Sequence, residues 1–203
     1  MKAPSAFGRQ KYMKYSGLLL SLLFIFFLLP ACDDDNGNAV PITIDLDPAS
    51  FEMTITGDLT ATVSGSAIFS EIVDPDTGDT GFVIYLVSFG ANNSTLALAT
   101  GGRRPGSGTY QIMNIDEDVL EQIEEIEIVP GQFAAWYQVD PGEEMKFFSS
   151  NSGSVTIVES NPEAVVGTFE FDADGIDAAD PDAELHIEIS GEFYTIGGAV
   201  DPF

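Results

Sequence analysis

Apolar and polar residues alternate with a period of two through most of the chain from about residue 50 onward. Phe51, Met53 and Ile55 are separated by Glu52 and Thr54, and Leu59, Ala61 and Val63 by Thr60 and Thr62, with Gly57-Asp58 as a turn between the runs. Side chains of a strand point alternately to its two faces, so this period predicts half-buried strands. Gly81–Gly90, GFVIYLVSFG, is apolar on both faces and predicts a central strand. Thr95–Thr100 and Thr109–Ile112 predict shorter strands, parted by a Gly/Arg/Pro/Ser loop at 101–108. Strands at 132–139 and 144–149 flank Asp140-Pro141-Gly142, where proline presets φ and glycine supplies a positive one. Gly153–Glu159, Ala164–Phe171 and Glu184–Ile196 complete the series. In the last, Leu185, Ile187, Ile189 and Phe193 face one way and Glu184, His186 and Glu188 the other, and Gly191 stands where a bend would carry a long strand between sheets. One stretch departs from the period: Val119, Leu120 and Ile123 have helical spacing behind an Asn114…Glu117 capping box, so a short helix is expected near 115–125. About nine or ten strands with turn residues between them predict an all-β domain, an antiparallel β-sandwich with a β-barrel as the alternative.

The first thirty-one residues follow a different logic. Lys2, Arg9, Lys11 and Lys14, with no acid among them, precede an apolar run from Leu18 to Leu29 broken only by Ser21. That run is shorter than the roughly 20 residues that span a bilayer. A basic lead, a short apolar core and a small residue before the cut make a removable export signal. Leu29-Pro30-Ala31-Cys32 resembles the lipobox of bacterial lipoproteins, which implies that Cys32, the only cysteine, becomes the lipid-bearing first residue. Acyl chains, at about 0.8 kcal/mol per buried methylene, would hold the protein to a membrane without a spanning helix. The expected organisation is a signal peptide at 1–31, a flexible acidic tether at 32–41 and a β-sandwich domain at 42–203.

Charge narrows the partners. All 33 acids lie beyond Cys32, where Arg103, Arg104 and Lys146 are the only bases, so the exported part carries about −30 against −26 for the whole chain. Such a field repels nucleic acid and anionic membrane surfaces. The membrane is therefore expected as a partner through the lipid on Cys32, and cations or cationic molecules through the body. With 44% hydrophobic residues and 15 phenylalanines, the acidity does not read as disorder.

The C-terminal half has a rhythm of its own: Ser152-Gly153-Ser154-Val155-Thr156-Ile157, then Val166-Gly167-Thr168-Phe169-Glu170-Phe171, then Ile189-Ser190-Gly191-Glu192-Phe193, after an aromatic strand at Phe133–Tyr137. Over about residues 132–196, and together with the lipobox, it resembles a group of uncharacterised β-rich lipoproteins of the Bacteroidota. Asp33-Asp34-Asp35 resembles the acidic stretch behind the lipid-bearing cysteine of surface-exposed lipoproteins in that group. The resemblance implies an outer-membrane address at the cell surface, with a periplasm-facing or inner-membrane location as the alternative. It implies no activity.

Candidate chemistry is sparse. Asp172, Asp174, Asp177, Asp180 and Asp182 surround Gly175, and calcium takes six to eight oxygens from such loops. Aligned on that glycine, however, the position that should supply a bidentate acid is Pro181, and a solvated hairpin loop is the simpler reading. Glu184, His186 and Glu188 form one row on one strand, and a single row does not surround an ion. His186 is the only histidine, which excludes a multi-histidine zinc site, and no Gly-x-Ser-x-Gly elbow accompanies it. Trp136 and Tyr137 would make a platform for sugar rings, with core packing as the competing use of both. Arg103 and Arg104 form the one basic spot, in the loop at 101–108. The expectation is a non-enzymatic binding or structural component of the envelope, meeting a glycan or an envelope protein, without a cofactor unless calcium occupies the aspartate loop. A carbohydrate- or calcium-binding module is one alternative, a glycan hydrolase using paired carboxylates the other.

Overall fold

The computed structural model describes residues 42–73, 78–89, 93–115, 129–140 and 145–197. These form nine strands: β1 (Ser50–Gly57), β2 (Ala61–Val73), β3 (Thr80–Ser88), β4 (Asn93–Gly101), β5 (Gly108–Ile112), β6 (Gln132–Asp140), β7 (Lys146–Ser160), β8 (Ala164–Asp177) and β9 (Asp180–Gly197). The all-β expectation holds, and there is no helix among the described residues. The helix expected near 115–125 falls, apart from Ile115, outside them.

The arrangement is the alternative one. A single sheet runs β1-β2-β3-β4-β6-β5-β7-β8-β9 and closes as a barrel, rather than two sheets packing as a sandwich. The closing seam is β1 against β9, from Ser50↔Tyr194 to Gly57↔Ile187. Where β1 begins, β2 and β9 pair directly and in parallel, Ile68↔Ile196, so the seam continues past it. On the far side β5 wedges between β6 and β7 at one end, parallel to β6, while β6 and β7 pair directly at the other through Trp136↔Ser149 and Val139↔Lys146. The alternation in the sequence is identical for both architectures. It fixes which residues face inward, and the closing ladder decides whether they meet one sheet or two.

The inward set fills the barrel. Phe51, Phe82, Phe133, Phe148 and Phe193 are each at most 1% exposed, with Ile55, Ile84, Leu96 and Leu98 between them. Burying side chains of this size stabilises by roughly 1.5–3 kcal/mol each. Polar groups inside are few. Tyr137 is 1% exposed, its ring against Phe148 at 6.1 Å, and burial pushes its hydroxyl above the ordinary range, partly offset by the neighbouring Ser94 side chain. The Thr195 hydroxyl donates to the Val165 carbonyl at 2.8 Å.

Each end of the barrel carries one of the scarce bases. At the end where β7 finishes, Arg104 pairs with Glu71 at 3.0 Å and lies 5.9 Å from the centre of the Phe69 ring. The loop that carries it is pinned by Ser160 Oγ donating to Pro105 O at 2.6 Å and Ser107 Oγ to Val158 O at 3.1 Å. At the other end, where β7 starts, Lys146 pairs with Asp177. Arg104 is thus committed to the fold, whereas Arg103 is exposed.

Candidate functional site

Among the described residues, a cluster of titratable side chains lies on the outer face of β1, β9 and β8. It follows from alternation: Phe169, Phe171 and Ala173 are buried in the core from β8, as are Ile187 and Ile189 from β9, which leaves Glu170, Asp172 and Asp174, and Glu184, His186, Glu188 and Ser190, pointing out. The ladder sets Asp172 opposite Glu188, Asp174 opposite His186 and Glu170 opposite Ser190. Thr56 of β1 stands against Glu188 from the other side, and Thr54 against Ser190. Together Thr54, Thr56, Glu170, Asp172, Glu188 and Ser190 line a shallow depression of about 370 Å³.

Several members are held in place. His186 Nδ1 and Asp174 Oδ1 are 2.7 Å apart, and the His186 backbone N–H donates to Asp58 Oδ2 at 2.8 Å. Ser152 Oγ donates to Asp172 Oδ2 at 3.0 Å. The hydrogen bond to Asp174 raises the His186 pKa above its ordinary value, with the charges of Asp174, Asp172 and Glu188 adding to the effect. The same bond lowers the Asp174 carboxyl. Both side chains are about half exposed, 53% and 46%, so solvent screens the pair and its worth is in orientation more than stability. One donor atom each from Asp172, His186 and Glu188 lies within 4.8 Å of the others.

The aspartate loop is not a loop. Residues 172–177 continue β8, so Asp172 and Asp174 stand on the outer face, Asp177 sits at the barrel end, and Asp180 already opens β9. Asp177 is taken by Lys146, and its Oδ1 accepts the Ala179 N–H at 2.9 Å. The side chain of Asp182 lies outside the described residues. The five residues are thus shared between the two strands of a hairpin, three on β8 and two on β9, rather than carried on one irregular loop.

The aromatic pair is split as well. Trp136 points outward and is part-exposed, while Tyr137, the next residue, points into the core. Register sets Tyr85 and Trp136 on either side of Ala97, so the outer companion of Trp136 is Tyr85. What the sequence did not reveal is the partnership of His186 with β8. That depends on β8 continuing through Asp177 and on an irregularity between Ile176 and Asp177 that shifts the register of the hairpin. Comparison with known proteins finds no matching family model, no similar curated protein and no similar solved structure.

Proposed function

We propose that the protein is a lipid-anchored component of a bacterial outer membrane, exposed at the cell surface, whose barrel serves as a non-enzymatic binding or structural module. The anchor rests on the export signal and Cys32. The observation that carries the rest is the filled interior: a barrel packed with phenylalanine and aliphatic side chains leaves its outer surface as the place for recognition. That surface is acidic over β8 and β9, which suits cations and cationic molecules. Growing cells with a fatty-acid analogue tests the anchor. The label should reach the wild-type chain, and Cys32→Ala should lose it and leave the membrane fraction. An unlabelled wild-type product that keeps residues 1–31 would overturn the assignment.

A glycan-binding role is the second reading, favoured by the outward Trp136 and Tyr85 flanking Ala97. Two aromatic rings two strands apart, with a small side chain between them, offer a flat bed for pyranose rings. On this reading Trp136→Ala abolishes glycan capture on an array while Tyr137, buried in the core, takes no part.

A further inference from the structure

We propose that the outer face of the β8–β9 hairpin binds one divalent cation of the zinc class through His186, Asp172 and Glu188. This reaches beyond the lipid-anchored reading and stands without it. One row of side chains on β9 would not surround an ion, but β8 supplies a second row directly against it. The three donors, within 4.8 Å of one another, need to close to about 3–3.5 Å to share an ion with bonds of about 2.0–2.2 Å. Glu188 is exposed and Asp172 part-exposed, so rotation about their side-chain bonds brings their oxygens toward the imidazole. Water completes the shell.

The imidazole sets this group apart from a patch of acids. Carboxylates alone suit calcium or magnesium, whereas a nitrogen donor shifts the preference to zinc, nickel or copper. The ring is also already oriented. Asp174, which is not one of the three donors, engages Nδ1 and leaves Nε2 as the nitrogen for the ion. A carboxylate behind a histidine is the usual outer partner of a metal ligand, fixing the ring and raising its basicity. Asp172 is steadied by Ser152 in turn. Asp172 and Glu188 are like charges in direct opposition, and β1, β8 and β9 carry no lysine or arginine to offset them. A bound cation would remove that repulsion.

The single histidine makes the test direct. Zinc chloride is titrated into the full-length chain in detergent, without an added histidine tag, following heat and the imidazole resonances of His186. The expected result is one equivalent bound, with those resonances moving below stoichiometric zinc. His186→Ala should weaken binding at least about tenfold, and Asp174→Asn by about 10–100-fold, the usual cost of losing an outer partner. Calcium binding should be indifferent to His186→Ala. Because residue 186 is half exposed, an unchanged melting temperature without metal serves to establish that the variants fold. Imidazole signals that stay put at one equivalent, undiminished zinc affinity in His186→Ala, or displacement of zinc by equimolar calcium would each overturn the site.

Discussion

Gly167 and Phe193 face each other across the β8–β9 ladder, and two residues along it Phe169 faces Gly191. The same pairing recurs as Gly153↔Phe171 and Phe148↔Gly175 between β7 and β8, and as Phe51↔Gly65 between β1 and β2. A barrel interior narrows as the sheet closes, and a ring opposite a hydrogen fits where two rings would collide. A Cβ on Gly167 would lie 2.8 Å from a Phe193 ring atom and 2.3 Å from the Thr156 carbonyl oxygen; one on Gly191 would lie 2.8 Å from Phe169 and 2.7 Å from the Met53 Cβ. Packing therefore accounts for the Gly-Thr-Phe and Gly-Glu-Phe rhythm of the C-terminal half. Gly167→Ala should destabilise by about 1–3 kcal/mol through overpacking, and Phe193→Ala by about 3–5 kcal/mol through the void it leaves. Urea unfolding measures both. An alanine at 167 that leaves the midpoint in place would mean that the ladder has slack there.

Strands were readable wherever inward residues were large, and obscure wherever they were small. From Phe51 to Ile55 and from Leu185 to Ile189 the period is plain, and both runs are strands. Residues 172–177, by contrast, keep the period with Ala173 and Gly175 inside, and small residues among aspartates look like a loop. Phe148 fills the space that Gly175 leaves, which only the partner strand reveals. In β7 an irregularity between Ser150 and Ser152 lets one strand of 15 residues pass for two. The outward acids were legible as a face, but their pairing into a site was not, because register across an irregular hairpin is set by tertiary contacts. The Lys146–Asp177 pair that ends this hairpin yields a prediction in pH. Lys146 holds the Asp177 carboxyl below its ordinary value, first through the hydrogen bond, with the Ala179 N–H assisting. A carboxyl lowered on folding adds stability above its unfolded pKa, about 3.9, and loses it as pH falls through the folded value. Asp177→Asn should therefore be less stable than wild type at pH 7 and converge with it below about pH 4. A constant gap between the two unfolding midpoints from pH 7 to pH 3 would remove the ion pair from the account.

At the scale of the whole molecule, charge is unbalanced on the outside of a barrel whose interior is settled. Beyond Cys32 there are three bases to 33 acids, and Lys146 and Arg104 are committed at opposite ends, so the sheet faces between them are left to repel themselves. Glu52↔Glu192 across β1 and β9, and Asp172↔Glu188 across β8 and β9, place like charges in direct opposition. Such pairs destabilise a sheet by a few tenths of a kcal/mol to about 1 kcal/mol each. Added salt shortens the screening length from about 30 Å at 0.01 M to about 3 Å at 1 M, so it should stabilise this fold. The melting temperature in a chelator should rise between those two sodium chloride concentrations, by about 2–4 °C for each kcal/mol relieved. Glu192→Gln, which breaks one opposed pair at an outward position, should melt higher than wild type at low salt and gain less from added salt. Were the rise due to general strengthening of apolar burial instead, the variant and wild type would climb in parallel, and the repulsion across β1 and β9 would have to be abandoned as the cause.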